Sequence, residues 1–203
     1  MSHDRETAAL IGGVALLERA ITYALGSLHL VTVEVLARPT PCRDWDVRAL
    51  LDHLGDSLLA LHQAIDRGWV GTDPPPGEDG EPDPAAIVRN RARRLLGACT
   101  NAGGGRQLVC VAGSPLTASI VASAGAIEIA VHGWDLAQAC GPGRPIPPAL
   151  AEELLDLSPL LVTEADRPGR FAAPVAVPPA TAPGDRLVAF LGRYPCSPVT
   201  PSR

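Results

Sequence analysis

Glu128 and His132 stand four residues apart in GAIEIAVHGWDLAQACG (125–141), a stretch whose small and branched apolar residues predict a helix. At about 3.6 residues per turn they fall about 40° apart and roughly 6 Å along the axis, so both can grip one ion. His53 lies in a second helical stretch, within PTPCRDWDVRALLDHLGD (39–56), and an antiparallel neighbour would bring it across as a third ligand. Two His and one carboxylate are a ligand set of catalytic zinc, which leaves a fourth position open for water or substrate. Asp135, one turn beyond His132, is the candidate catalytic group, able to orient a ligand or accept a proton. The plain alternative is a solvated Glu–His pair worth about 0.2–0.5 kcal/mol, with His53 bonded to a carbonyl at a helix edge.

Helical periodicity supplies the elements that must position these groups. Leu10, Val14, Leu17, Ile21, Leu25 and Leu28 are spaced by threes and fours and predict a helix over 5–30, weakened locally by Gly12, Gly13 and Gly26. A second helix starts at the N-cap Asp46, carries Val47, Leu51, Leu54, Leu58, Leu61 and Ile65 on one stripe, and stops at Gly68. The segment GTDPPPGEDGEPDP (71–84) reads as loop, and Asp83-Pro84 opens a third helix to about residue 100. After Gly103–Gly105, RQLVCVA predicts a short extended stretch, and Ser114-Pro115 opens a fourth helix to Cys140. Glu128, His132 and Asp135 share the edge of its apolar face with Val121 and Gly125, the glycine leaving space above the site. Further helices are expected at 148–162 and 184–192, with the proline-rich 171–183 extended between them.

Composition narrows the class. The chain has 203 residues, 46% of them apolar, but only three Trp, two Tyr and two Phe, which favours helix-on-helix packing. A net charge of −5 without a basic cluster argues against nucleic acid. No apolar run reaches the roughly 18 residues of a membrane span, and the polar start MSHDRET is no secretion signal. Five irregularly spaced cysteines without a CxxC pair predict reduced, buried thiols in a cytoplasmic protein. Trp45 and Trp134 are expected to plug the core, with a place in the pocket wall as the alternative. No feature of the chain predicts its oligomeric state.

At TPCRDW-DVRALLDHL and EIAVHGWDLAQACG the chain resembles a family common in actinobacteria. These are metal-binding proteins related to the N-terminal domain of mycothiol-dependent maleylpyruvate isomerase, within the DinB/YfiT-like superfamily. The tail DRLVAFLGR is similar to the C-terminal segment of its short, single-domain members. The resemblance implies a four-helix bundle holding a divalent metal, usually zinc, at positions that fall on His53, Glu128 and His132. It also implies mycothiol as cosubstrate, since the isomerase uses that thiol to convert maleylpyruvate to fumarylpyruvate. The isomerase carries a separately folded C-terminal domain where this sequence has a Pro-rich stretch after Pro142, so residues of that domain do not transfer.

The expectation is therefore an all-α protein: a DinB-like four-helix bundle over 1–142, with a small helical and extended arm, 143–203, packed on it. Its expected function is zinc-dependent use of a low-molecular-weight thiol on a small electrophile, by thiol transfer or cis–trans isomerisation. The alternative is a metal- or ligand-binding protein of the same fold without turnover.

Overall fold

The structure is a computed structural model, described here for residues 12–42, 44–70, 83–101, 107–111, 113–141, 143–167 and 171–195. Most of the acidic loop, the start of the first helix, Gly103–Gly105 and Cys196 lie outside the described residues. Within them are six helices: α1 (Gly13–Leu28), α2 (Val47–Arg67), α3 (Pro84–Asn101), α4 (Ala118–Cys140), α5 (Pro148–Leu161) and α6 (Pro183–Phe190). Short 3-10 turns follow α1 and α5. One antiparallel hairpin, β1 (Leu108–Val111) and β2 (Ser114–Thr117), lies between α3 and α4. The protein is thus mostly helical, with a small sheet that the sequence did not announce in full.

Local chemistry fixes the helix carrying His53. Asp46 accepts a hydrogen bond from the Ala49 amide at 2.8 Å, satisfying one orphan donor at the start of α2. At the other end Gly68 adopts φ 76° and donates to Ala64 O at 3.1 Å, the left-handed stop that glycine provides at least cost. Val47, Leu51, Leu54, Leu58, Leu61 and Ile65 are all buried, as their stripe predicts. Their burial leaves His53 at the margin of the packed face.

The hairpin corrects the predicted start of α4. Ser114 and Pro115 belong to β2, and the helix begins at Ala118, where the Thr117 hydroxyl accepts from the Ile120 amide at 3.3 Å. Gly113 at φ 81° turns the chain, and Val109 on β1 buries itself against Ala64 and Ala118. Cys110 N–H donates to Gly68 O at 2.9 Å, tying β1 to the end of α2. Proline fits a helix start or a two-stranded ribbon equally well, so Pro115 alone could not decide between them.

α4 runs through the middle of the molecule, packed by α1, α2, α5 and the hairpin. It is long and apolar enough to cross a membrane by length and composition, yet 78% of that apolar window is buried inside the protein. It is the core helix. Burial extends around nearly its whole circumference, because it must present apolar surface to several neighbours at once, and a single stripe understates it.

Two glycines are contact points rather than weaknesses. A methyl group at Gly13 would overlap the Ser119 carbonyl oxygen of α4. One at Gly125 would fall 2.5 Å from Leu61 Cδ2, so the space expected above Glu128 is filled by leucine. Where α4 hands over to the C-terminal segment, Tyr23 Oη donates to Arg144 O and Arg144 Nη1 donates to Tyr23 O, both at 2.6 Å. The exchange straps that segment to α1.

Substituting Gly13→Ala should destabilise the protein by roughly 1–3 kcal/mol, because a backbone atom blocks the methyl and the α1–α4 contact must open. Urea unfolding measures this, and an unchanged midpoint would show that the contact yields freely.

Candidate metal centre

Two helices and one loop build the site. α2 contributes His53 and Ser57, α4 contributes Glu128, His132 and Asp135, and the loop before α2 contributes Cys42 and Trp45. The Glu128 carboxylate is the common partner: its Oε1 lies 2.6 Å from His53 Nε2 and 3.2 Å from His132 Nε2. The Ser57 hydroxyl donates to the same oxygen at 3.4 Å. One ligand atom from each of His53, Glu128 and His132 falls within 4.8 Å of the others. Glu128 and His132, singled out by spacing, and His53, singled out by its motif, are therefore brought together across α2 and α4.

Their exposure is graded. The His53 and Glu128 side chains are 37% and 30% exposed, whereas His132 is 6% and Asp135 is 0%. One side of the cluster reaches solvent and the other is sealed in the core. On the sealed side Asp135 Oδ2 lies 3.0 Å from His132 Nδ1 and accepts 2.9 Å from Arg193 Nη2. Arg193 Nε reaches Asp135 Oδ1 at 3.4 Å, and its Nη1 donates to Leu191 O at 3.0 Å. A buried carboxylate without a counter-ion would be costly, and the buried Arg193 guanidinium supplies the charge.

Charge balance follows from these contacts. Burial pulls the Glu128 carboxyl upward, but hydrogen bonds from His132 and His53, and their charge, hold it well below the usual carboxylate range. Burial pulls His132 down, yet bonds to Asp135 and Glu128 outweigh it and raise it to about 9. The Cys42 thiol is pushed up by burial, opposed by Arg193 and reinforced by Asp135 and Glu128.

Trp45 is half-buried, packed against the core on one side and lining the site on the other. Its ring centroid lies 4.5 Å from that of His53 and 5.8 Å from that of His132. Trp134 is the one that plugs the core, at 2% exposure. The supporting loop is tight: Trp45 N–H donates to Cys42 O at 3.2 Å, and Thr40 N–H donates to Trp45 O at 3.0 Å. Asp44 takes φ 70°, a left-handed conformation that Asp tolerates better than most residues. The expectation of buried thiols fails at Cys110, which is exposed on β1, while Cys99 is buried.

Comparison with known proteins adds the ancestry. Residues 17–137 match the family described as the mycothiol maleylpyruvate isomerase N-terminal domain, part of the DinB/YfiT-like superfamily. The chain belongs to that family. Two uncharacterized proteins of Mycobacterium tuberculosis, MT0763 of strain CDC 1551 and Rv0738 of strain H37Rv, are each 28% identical to it over 166 residues. Those alignments cover 80% of this chain and 87% of each relative. No solved structure matches significantly. Membership gives the protein a mycothiol-related domain, and within it the described residues hold two candidate metal-ligating groups: His53, Glu128 and His132, and Cys42, His132 and Asp135.

Arg193 and Ser57 are the site residues that spacing did not reveal. Arg193 closes the DRLVAFLGR segment, whose likeness to relatives marked the segment without giving the arginine a task. Ser57 sits one turn after His53, a position that α2 periodicity could have flagged.

Removing the Arg193 guanidinium while keeping its bulk, Arg193→Met, should cost about 3–5 kcal/mol because buried Asp135 loses one of its two charged partners and both hydrogen bonds from the guanidinium. Urea unfolding checks this against Glu153→Gln, which breaks an exposed pair with Arg19 and should cost under about 1 kcal/mol. The raised His132 makes a second expectation. Its stabilising protonated form is fully present below about pH 6.5 and is lost as pH rises through about 9. Chelator-treated protein should therefore unfold at lower urea above about pH 9 than near pH 6.5, and an unmoved midpoint would contradict the assignment.

Proposed function

We propose that this protein is a divalent-metal enzyme, with zinc as the resident ion, that uses a low-molecular-weight thiol such as mycothiol on a small electrophile. The observation that carries the reading is the meeting of two imidazoles and one carboxylate at Glu128 Oε1, with one side open to solvent. The donor set suits the ion: neutral imidazoles and an ionised carboxylate bind zinc and leave a fourth position. A bound ion supplies Lewis acidity there, lowering the pKa of a thiol that reaches it and polarising a carbonyl.

The chain's own groups do the rest. His53, Glu128 and His132 act as ligands, and Asp135 accepts the Nδ1–H of His132, fixing the tautomer in which Nε2 faces the site. Both Asp135 oxygens are engaged and the side chain has no exposed surface. Those contacts favour orienting His132 over receiving a proton from substrate. Arg193 holds Asp135 in place. Trp45 walls the open side with an apolar surface, which excludes water from part of the cleft and offers a ring against which a conjugated electrophile can lie.

Within this reading the chain is a DinB-like four-helix bundle, residues 1–142, completed by the 143–203 arm, which contributes Arg193 to the site. An unsaturated diacid would be isomerised by thiol addition, rotation and elimination. A carbon bearing a leaving group would undergo substitution, giving thiol transfer. The four cysteines among the described residues are all free, which is compatible with a reducing compartment such as the cytoplasm.

Elemental analysis of protein purified without a His-tag should find about one divalent ion per chain, lost in His132→Ala. Asp135→Asn should weaken zinc affinity roughly 10–100-fold in a competition titration. Loaded wild type should accelerate consumption of mycothiol in the presence of activated alkenes or alkyl halides. A wild type that takes up no metal on reconstitution overturns the proposal. Stoichiometric metal without thiol turnover would leave a metal-binding protein on the same fold.

A further inference from the structure

The two histidines of the cluster are held in different ways. His132 is oriented from the interior, its Nδ1 lying 3.0 Å from Asp135 Oδ2. His53 places Nε2 on Glu128 Oε1, and no hydrogen bond from the described residues reaches its other ring nitrogen. Histidines that ligate a metal usually have a partner on that second nitrogen to fix the ring. What packs on His53 is a pair of rings. The Trp45 centroid lies 4.5 Å from that of His53 at an interplanar angle of 52°, and the His132 ring stands edge-on at 5.0 Å and 81°. Tilted and edge-to-face pairs are favourable at centroid separations of about 4.5–7 Å. Swinging His53 about its single polar tether would break both contacts.

The indole is itself firmly placed. Its backbone oxygen accepts from the Thr40 amide and the Thr40 hydroxyl, both at 3.0 Å. The next residue, Asp46, caps α2 and bridges to Pro39, and the Trp45 ring packs against the core.

We propose that Trp45 is a positioning residue for His53, holding its imidazole by ring packing as Asp135 holds that of His132 by a hydrogen bond. The inference rests on the metal-site reading above and adds the device that readies the more exposed ligand. Ring packing depends on a flat aromatic surface rather than on a polar atom. Another aromatic side chain can therefore replace the indole, and an aliphatic one of similar burial cannot.

Zinc competition titration of the full chain tests this. Trp45→Leu should weaken zinc affinity roughly tenfold, and Trp45→Phe, which keeps a ring, should restore most of it. Wild-type affinity in Trp45→Leu, or the same loss in Trp45→Phe, would overturn the role and leave the three ligands standing. Nuclear magnetic resonance of the metal-free chains adds a signature that general loosening would not produce. Trp45→Leu should broaden the ring resonances of His53 and leave those of His132 sharp; equal disturbance of both rings would overturn the role. A last arm needs no variant: cross-relaxation between the Trp45 indole and the His53 ring should be seen in wild type with and without zinc. Its loss on zinc loading would also overturn the role. Failure of wild type to take up zinc at all would overturn the metal-site reading and this inference together.

Discussion

The Asp135 carboxylate has no exposed surface, yet it sits in the middle of the protein's most buried helix with an imidazole on one side and a guanidinium on the other. An ionised group there is tolerable only because both partners are positioned and hydrogen-bonded. That requirement organises much of the molecule. It fixes the ring of His132, and with it the nitrogen offered to Glu128. It also obliges the chain beyond α6 to return to α4, because Arg193 is the counter-charge. Packing alone would be satisfied by an apolar pair of similar volume, so the triad is an arrangement whose value lies in orientation rather than in stability.

Around this fixed interior the rest of the site is less constrained. Glu128 and His53 are partly exposed and meet across two helices, while Trp45 and Cys42 come from a loop. The division places the more exposed groups on the solvent side of the cluster and the anchored ones in the interior. The family's mycothiol-related character stands beside a cluster with one anchored histidine and a tryptophan ring against both imidazoles. The 23-residue helix α4 supplies the anchored half, held by neighbours that approach it closely at Gly13 and Gly125.

How much of this could be read from the sequence depends on the range of the interaction. The α2 stripe, its Asp46 cap and its Gly68 stop are local, and they were legible in detail. So was the i, i+4 relation of Glu128 and His132. His53 joined them through motif likeness, not through any pattern of its own. What stayed hidden was set by tertiary partners. Pro115 suited two local structures, and the burial of Val109 against Ala64 and Ala118 decided for a strand. Gly125 suggested open space, but the distant Leu61 fills it. Trp45 packs against the core as its size suggests, and what stayed hidden is its contact with two imidazoles. Arg193 lies 58 residues from Asp135, beyond the reach of any periodicity.

That long separation couples assembly to order of events. Until the segment after α6 has docked, Asp135 lacks the guanidinium and has His132 alone as its charged partner, so α4 buries the carboxylate at a penalty. The Asp135 carboxylate that orients His132 is then anchored from one side only, so the candidate ligands are held less firmly in a partly assembled chain. Completion of the interior and orientation of the candidate ligands are thereby linked through Arg193. On the proposed reading, the C-terminal segment readies His132 for an ion without touching the ion.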